Sequence, residues 1–135
     1  MVVNFNDSDI RKNLYKMLEL VDCIQPSQVN KTTDKEKQLL IEFLLLDPKQ
    51  FGIYRFSRRA REQVITQAME DTGWKLTKRN ISNKVFAGLE KGLLYKESDG
   101  EIYFKTWLLK VASDIRDSYS SGGKYEIKFR FSNGS

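Results

Sequence analysis

The sequence predicts an α+β fold that is mainly α, and three observations lead to this prediction. Apolar residues recur at helical spacing in several segments that begin at capping residues and end at glycine or proline. Two short extended runs flank an Asp-Gly pair, the pattern of a β-hairpin. The last apolar segment alternates strictly between apolar and charged residues, which is typical of a strand with one buried face.

The first predicted element is a helix at about residues 8–22, with Asp7 or Ser8 as its N-cap. Residues 24–33 contain Pro26 and small polar residues, so we expect a linker there. The buried stripe of the helix is predicted from five apolar residues: Ile10, Leu14, Met17, Leu18 and Val21.

The next elements begin with a capping box, in which Thr33 and Glu36 satisfy each other's backbone amides. Asp47-Pro48 is expected to end this second helix, and residues 50–56 are expected to be extended. A third helix is predicted at about 58–71, with Ser57 as its N-cap and Gly73 at its end. Its inner face is predicted to hold Val64, Ile65, Ala68 and Met69.

A fourth helix is predicted at residues 78–91, capped by Thr77, and a hairpin over 93–105 follows it with its turn at Ser98-Asp99-Gly100. Thr106 is expected to cap a fifth helix. The buried side of the fourth helix is predicted as Ile81, Val85, Phe86 and Leu89. That of the fifth is predicted as Leu108, Leu109, Ala112, Ile115 and Tyr119.

The C-terminal strand needs a partner, because isolated strands are not stable in water. Its apolar face is formed by Tyr125, Ile127, Phe129 and Phe131. Three partners are open: the hairpin, residues 2–5, or a neighbouring subunit. We predict a homo-oligomer formed through this strand. The resulting division of the chain is an N-terminal arm and helix (1–32), a core (33–121), and a strand with a tail (122–135).

The amino-acid composition excludes most of the common kinds of catalytic site. The chain has no histidine and one cysteine, so neither a zinc site of the usual kind nor a histidine-activated nucleophile can form. Neither of the common glycine-rich phosphate-binding motifs is present. We therefore expect a protein that is not an enzyme, with no cofactor and no metal.

The same sequence predicts a protein without a membrane partner. Glu42 interrupts the longest apolar run, which is too short to cross a bilayer, and the first residues lack a secretory pattern. Cys23 has no internal partner, which favours a reducing compartment. We expect a cytoplasmic protein, or one of the host cytoplasm or virion if the chain is viral.

The net charge of +5 is concentrated in one region. Residues 55–91 hold nine basic and four acidic residues, and the remainder of the chain is balanced. Such a block suits a surface that faces a polyanion, although solvated helix faces give the same count.

Residues 76–96 carry a resemblance to a known family. A capped helix leads to Leu89, and Gly92-Leu93-Leu94 then opens the hairpin. With the helices before it, the region 33–105 resembles the winged helix-turn-helix family, which includes plasmid and phage replication initiators and small transcription regulators. The resemblance implies that residues 78–91 form the recognition helix, that the hairpin is the wing, and that the partner is double-stranded DNA.

Two groups of residues are predicted to bind nucleic acid. Arginine and asparagine on the open side of a recognition helix can pair with base edges, and a helix amino end attracts phosphate. The first group is Lys78, Arg79, Asn80, Ser82, Asn83 and Lys84. The second group opens the preceding helix, where cations oppose the helix dipole unless a phosphate is nearby, and comprises Arg58, Arg59 and Arg61. The alternatives are a solvated face for the first group and a surface ion pair to Glu62 or a neighbouring residue for the second.

The acidic tip of the hairpin, Glu97, Asp99 and Glu101, departs from a DNA-reading wing. The alternative function is therefore a non-enzymatic structural or adaptor protein, such as a phage or viral assembly component that uses the same fold for protein contacts. Other conspicuous side chains are expected to pack in or beside the core: Trp74, Trp107, Tyr54, Phe56 and Cys23.

Overall fold

The computed structural model describes residues 2–24, 32–86, 92–122 and 125–128. These residues form an α+β fold that is mainly α, as predicted. The strands are β1 (Val2–Phe5), β2 (Leu94–Lys96), β3 (Ile102–Phe104) and β4 (Tyr125–Lys128). The helices are α1 (Ile10–Ile24), α2 (Asp34–Leu44), α3 (Pro48–Phe51), α4 (Arg58–Thr72) and α5 (Thr106–Ser120). Two 3₁₀ turns lie at Lys78–Ile81 and Asn83–Phe86.

Local capping chemistry sets the bounds of the two central helices. Thr33 donates its amide to Glu36 Oε1 at 2.8 Å, and Glu36 donates its amide to Thr33 Oγ1 at 3.2 Å, which confirms the capping box. Ser57 Oγ accepts from the amide of Ala60 at 3.2 Å and begins α4. Gly73 ends α4 with φ of +76°, a left-handed conformation that costs glycine little.

The core is built around four aromatic rings from four segments. Phe56 lies at the centre of this cluster, with its ring centroid 4.7 to 5.0 Å from those of Phe43, Phe86 and Phe104. Helix α1 packs against α2 and α5 and buries Leu14 in the same core. The core therefore joins the N-terminal helix to the region that contains the hairpin.

A buried arginine closes the end of α2. Arg55 donates through Nη1 to the carbonyls of Phe43 and Leu44, both at 3.1 Å, and through Nε to the carbonyl of Gly52 at 2.7 Å. Burial lowers the pKa of Arg55 to about 10. Arg55 is one of the nine basic residues within 55–91, but its side chain is buried. Its charge therefore stabilises the end of α2 and does not contribute to the basic surface.

The described strands form two separate antiparallel pairs. In the predicted hairpin, Leu94 pairs with Phe104 and Lys96 with Ile102, and Gly100 turns with φ of +89°. The other pair joins β1 to β4, with Val2 opposite Lys128 and Phe5 opposite Tyr125. The C-terminal strand thus takes residues 2–5 as its partner, the second of the three alternatives.

The extended conformation predicted for residues 50–56 is wrong. Asp47 Oδ1 accepts from the amide of Lys49 at 2.9 Å and Pro48 occupies the first position of α3, so Asp47-Pro48 starts a helix as well as ending one. A turn follows at residues 52–53.

The prediction of one continuous helix over 78–91 is wrong for its first part. Residues 78–86 form two 3₁₀ turns, separated by Ser82 in an extended conformation with φ of −72° and ψ of 160°. Thr77 and Asn80 form the capping box that begins the first turn, and the extended backbone of Ser82 ends it after four residues. Residues 87–91, with Leu89, lie outside the described residues.

Several side chains predicted to be buried are exposed. Met69, Tyr119, Trp107 and Tyr54 have between 41% and 60% of their surface exposed, and Cys23 is also exposed. Met69, Trp107 and Cys23 lie outside the stripe that each helix turns to the core, whereas Tyr119 continues the stripe of α5 into its last turn, where its hydroxyl donates to the carbonyl of Ser8 at 3.0 Å.

Two further features concern the cap of α5 and the length of the helices. Thr106 is the first residue of α5 and not its cap; the cap is Lys105, which makes no side-chain capping bond. Within the described ranges, no helix has the length and apolar character that a membrane span requires.

Candidate nucleic-acid interface

A cleft of about 500 Å³ lies between the start of α4, the first 3₁₀ turn and the tip of the hairpin. We call it the basic cleft. Its charged lining residues are Arg58, Arg61, Glu62, Lys78 and Glu101. The lining therefore contains three cations and two carboxylates. The cleft also lies at the amino end of α4, where the helix dipole favours an anion.

Arg58 lies at the mouth of the basic cleft and is almost fully solvated, with 89% of its side chain exposed. Its Nε is 3.4 Å from Glu62 Oε1, which is the ion pair expected as the alternative to phosphate binding. Exposed pairs of this kind contribute at most about 1 kcal/mol. Arg58 can therefore exchange Glu62 for a stronger anionic partner at little cost.

Arg61 is held in place by the fold. Its Nε donates to the carbonyl of Phe56 at 2.9 Å, and its guanidinium carbon lies 6.0 Å from the centroid of the Phe86 ring. Burial lowers the pKa of Arg61, while Glu101 acts in the opposite sense. The result is a positive charge fixed against the aromatic core at the wall of the basic cleft.

Arg59 faces a different surface. Its guanidinium lies 5.7 Å from the centroid of the Phe51 ring, and it does not line the basic cleft. The three arginines that open α4 therefore have three different roles, and two of them contribute to the cleft.

The predicted recognition residues are also divided. Lys78 is exposed and lines the basic cleft, whereas Arg79 is exposed outside it. Asn80 Oδ1 accepts from the amide of Thr77 at 2.9 Å and from its hydroxyl at 2.8 Å, so this oxygen is committed to the turn.

Ser82, a further predicted residue, does not line the cleft. Ser82 is half-buried, and its carbonyl accepts from the amide of Val85 at 2.9 Å. The side chains of Asn83 and Lys84 lie outside the described part of the structure. The structure thus brings together Arg58, Arg61 and Lys78.

Sequence reasoning missed an aromatic surface on the outer face of the hairpin. Tyr95 and Tyr103 are cross-strand partners whose ring centroids lie 5.4 Å apart, and Tyr54 is 6.1 Å from Tyr103. We call these three residues the tyrosine row. The signal was present in the alternation of the hairpin, because Leu94, Ile102 and Phe104 occupy the opposite, buried face.

The described residues contain no group of three or more potential metal-ligating side chains. Comparisons with protein-family models, with curated proteins and with solved structures find no match to this chain.

Proposed function

We propose that the protein is a winged-helix nucleic-acid-binding protein that holds the phosphate backbone of double-stranded DNA in the basic cleft. One observation carries the proposal: Arg58 and Arg61 from α4 and Lys78 from the first 3₁₀ turn line a single cleft at the amino end of a helix. Phosphate contacts supply most of the affinity of proteins for DNA, and helix amino ends are frequent phosphate sites.

The three cations contribute in different ways. Arg61 is already ordered by its bond to the Phe56 carbonyl, so little conformational entropy is lost when it meets a phosphate. Arg58 and Lys78 are exposed and adjust to the position of the backbone. Arg79, exposed on the same 3₁₀ turn as Lys78, is the residue best placed to reach a base edge.

The acidic hairpin limits what this interface reads. Glu101 lines the cleft, and Glu97 and Asp99 lie beside it in the turn, so phosphate is repelled from the tip. We therefore expect binding that depends steeply on salt, with any preference between sequences coming from Arg79 and not from the hairpin. A transcription regulator or replication factor of the cytoplasm, without catalytic activity of its own, fits this pattern.

The test is fluorescence anisotropy of a labelled DNA duplex across a salt series. The variant Arg58→Ala/Lys78→Ala should reduce the slope of log K against log salt by about two units, close to one for each lost contact. The control Lys35→Ala/Lys49→Ala removes two exposed cations outside the cleft and has the same net charge. An equal reduction of the slope in both variants would mean that only net charge matters, and would contradict the assignment of DNA binding to the basic cleft.

A second function is favoured by the tyrosine row. Tyr54 is 60% exposed, and burial together with Asp99 and Glu101 raises the pKa of Tyr103. Exposed aromatic side chains beside carboxylates suit a protein partner better than DNA. We propose protein contact as the alternative, in a structural or adaptor role such as virion assembly, including a homo-oligomer.

Light scattering separates the two functions. A mass above that of the 15.8 kDa chain, reduced to the monomer by Tyr54→Ser with DNA affinity unchanged, would favour the alternative. A monomer at all concentrations, together with the salt response expected of the basic cleft, would favour DNA binding.

A further inference from the structure

We propose that a second cavity, on another face of the protein, binds a small planar aromatic anion. The cavity measures about 350 Å³ and lies between α1, α2 and the residues that follow α4. Its walls include Tyr15, Ile41 and Trp74, and Lys12 and Gln38 are exposed lining residues. We call it the aromatic pocket. The inference does not rest on the proposed binding of DNA.

The wall formed by Trp74 is fixed by backbone bonds. The amide of Trp74 donates to the carbonyl of Ala68 and to Thr72 Oγ1, both at 3.2 Å. These bonds follow from the left-handed turn at Gly73. The indole is half-buried, so one part of it packs on the core while another faces the aromatic pocket.

The wall formed by Tyr15 is fixed by side-chain contacts. The hydroxyl of Tyr15 donates to Asp34, and the ammonium of Lys37 lies 5.5 Å from the centroid of the Tyr15 ring. Ile41, which lines the pocket with the two aromatic residues, is buried. A flat ring bound there would contact two aromatic walls and one aliphatic surface, which is the usual lining of a site for a small ligand.

The charges at the pocket select an anion. Glu42 is buried and accepts two bonds from Arg11, at 2.9 and 3.0 Å, and Arg11 also donates to Asp71 at 3.1 Å. Among the charged residues that line the pocket, Arg11 and Glu42 neutralise each other, and Asp71, which is outside the lining, is half exposed to solvent. Lys12 is exposed, and no described residue lies within bonding distance of its ammonium, so its charge is left for a ligand.

The size of the pocket limits the ligand. A volume of about 350 Å³ lies near the lower end of the range of about 300–1,000 Å³ that is typical of ligand sites. One or two fused rings with a carboxylate fit this volume. The chemical class is therefore an aromatic carboxylate.

The probe for the test is 2-naphthoate, titrated into the full chain and followed by the indole N–H signals in NMR. We expect a saturable shift of the Trp74 signal, with Trp107, which is exposed elsewhere, as an internal reference. Lys12→Met should weaken 2-naphthoate binding about two- to fivefold, the range for an exposed ion pair, and Lys35→Met should not. The neutral probe 2-naphthalenemethanol should bind the wild type and Lys12→Met equally.

A further variant tests the charge selection without altering the walls. Gln38→Glu places a carboxylate at the exposed edge of the pocket and should weaken 2-naphthoate while leaving 2-naphthalenemethanol unchanged. No shift of Trp74, equal shifts of Trp74 and Trp107, or equal responses of the Lys12 and Lys35 variants would overturn the proposal. Trp74 shifts that follow protein concentration without any probe would identify a second copy as the occupant and would overturn it too.

Discussion

Glu42 shows how one buried charge can organise three helices. It lies on α2 and is 2% exposed, yet it accepts from Arg11 of α1 and from Gln67 of α4, whose Nε2 also donates to the Glu42 carbonyl at 2.9 Å. In the sequence, Glu42 only interrupts an apolar run, and its partners are 31 and 25 residues away. No local pattern could have predicted this network.

We expect Glu42→Gln to destabilise the protein by about 1–3 kcal/mol, because Arg11 and Gln67 lose a charged acceptor in a buried position. Asp71→Asn is the matched control, since it removes an acceptor of the same arginine where the side chain is 50% exposed, and should cost less than about 1 kcal/mol. Urea unfolding of both variants measures the difference. An equal loss of stability in the two variants would show that the burial of Glu42 does not determine how much it stabilises the protein.

Tyr15 has a pKa raised to about 12, chiefly by its hydrogen bond to Asp34. Between about pH 10 and 12 the hydroxyl of Tyr15 keeps its proton in the folded protein but loses it in the unfolded chain. The contribution of Tyr15 to the free energy of unfolding is therefore complete below pH 10 and is lost as the pH rises from about 10 to 12. Asp34→Asn should return the pKa of Tyr15 towards its ordinary value. NMR titration of ring-labelled tyrosine measures this, and an unchanged pKa in Asp34→Asn would show that the carboxylate is not the cause.

At the scale of elements, most caps were predictable, with Thr106 as the exception, and helix continuity was not. Thr33, Ser57 and Gly73 were identified from sequence because capping needs only a few neighbouring residues. Asp47-Pro48 was ambiguous, because the same pair that stops one helix begins the next. The short helix that begins at this pair and the turn after it take the place of the extended conformation expected for Ile53 and Tyr54, whose side chains are exposed.

The candidate site was predictable as a region and not as a geometry. The charge count placed it within residues 55–91, but the direction of each arginine depends on non-local packing. Arg55 is buried under the end of α2, and Arg61 lies against Phe86, a residue from a later segment. Glu101 lines the basic cleft because the hairpin folds back beside α4, which the local sequence does not reveal.

Gly73 offers a test of a single element boundary. Its φ of +76° is unfavourable for residues with a Cβ, although a Cβ built there would meet no atom within 4 Å. Gly73→Ala should therefore cost about 1–2 kcal/mol through backbone strain alone. Gly73→Asn should cost less, because asparagine tolerates the left-handed region. Urea unfolding measures both variants, and equal stabilities would mean that backbone strain at this position is not what distinguishes them.

At the scale of the whole molecule, the β1–β4 pair ties the two ends of the described chain to the core. Phe5 is 3% exposed, and its ring centroid lies 6.0 Å from that of Tyr125. We expect Phe5→Ala to destabilise the protein by about 3 kcal/mol or more, as for other buried phenylalanines. Val2→Ala, in the same strand but 50% exposed, should change stability by less than about 0.5 kcal/mol.

Thermal or urea unfolding, followed at two wavelengths, measures the stability of both variants. A transition of Phe5→Ala that coincides with that of the wild type would mean that the terminal pair contributes nothing to the cooperative unit. A separate early transition would instead show that it unfolds by itself.

The pairing of residue 2 with residue 128 also has a consequence for biosynthesis. The first strand leaves the ribosome long before its partner exists, and at about 5–20 residues per second it waits on the order of ten seconds. During that interval Val2–Phe5 is an unpaired β-segment with an apolar ring at its end, while the helices can already assemble. The nascent chain is therefore most exposed to chaperones and to misassociation at β1, until β4 emerges and pairs with it.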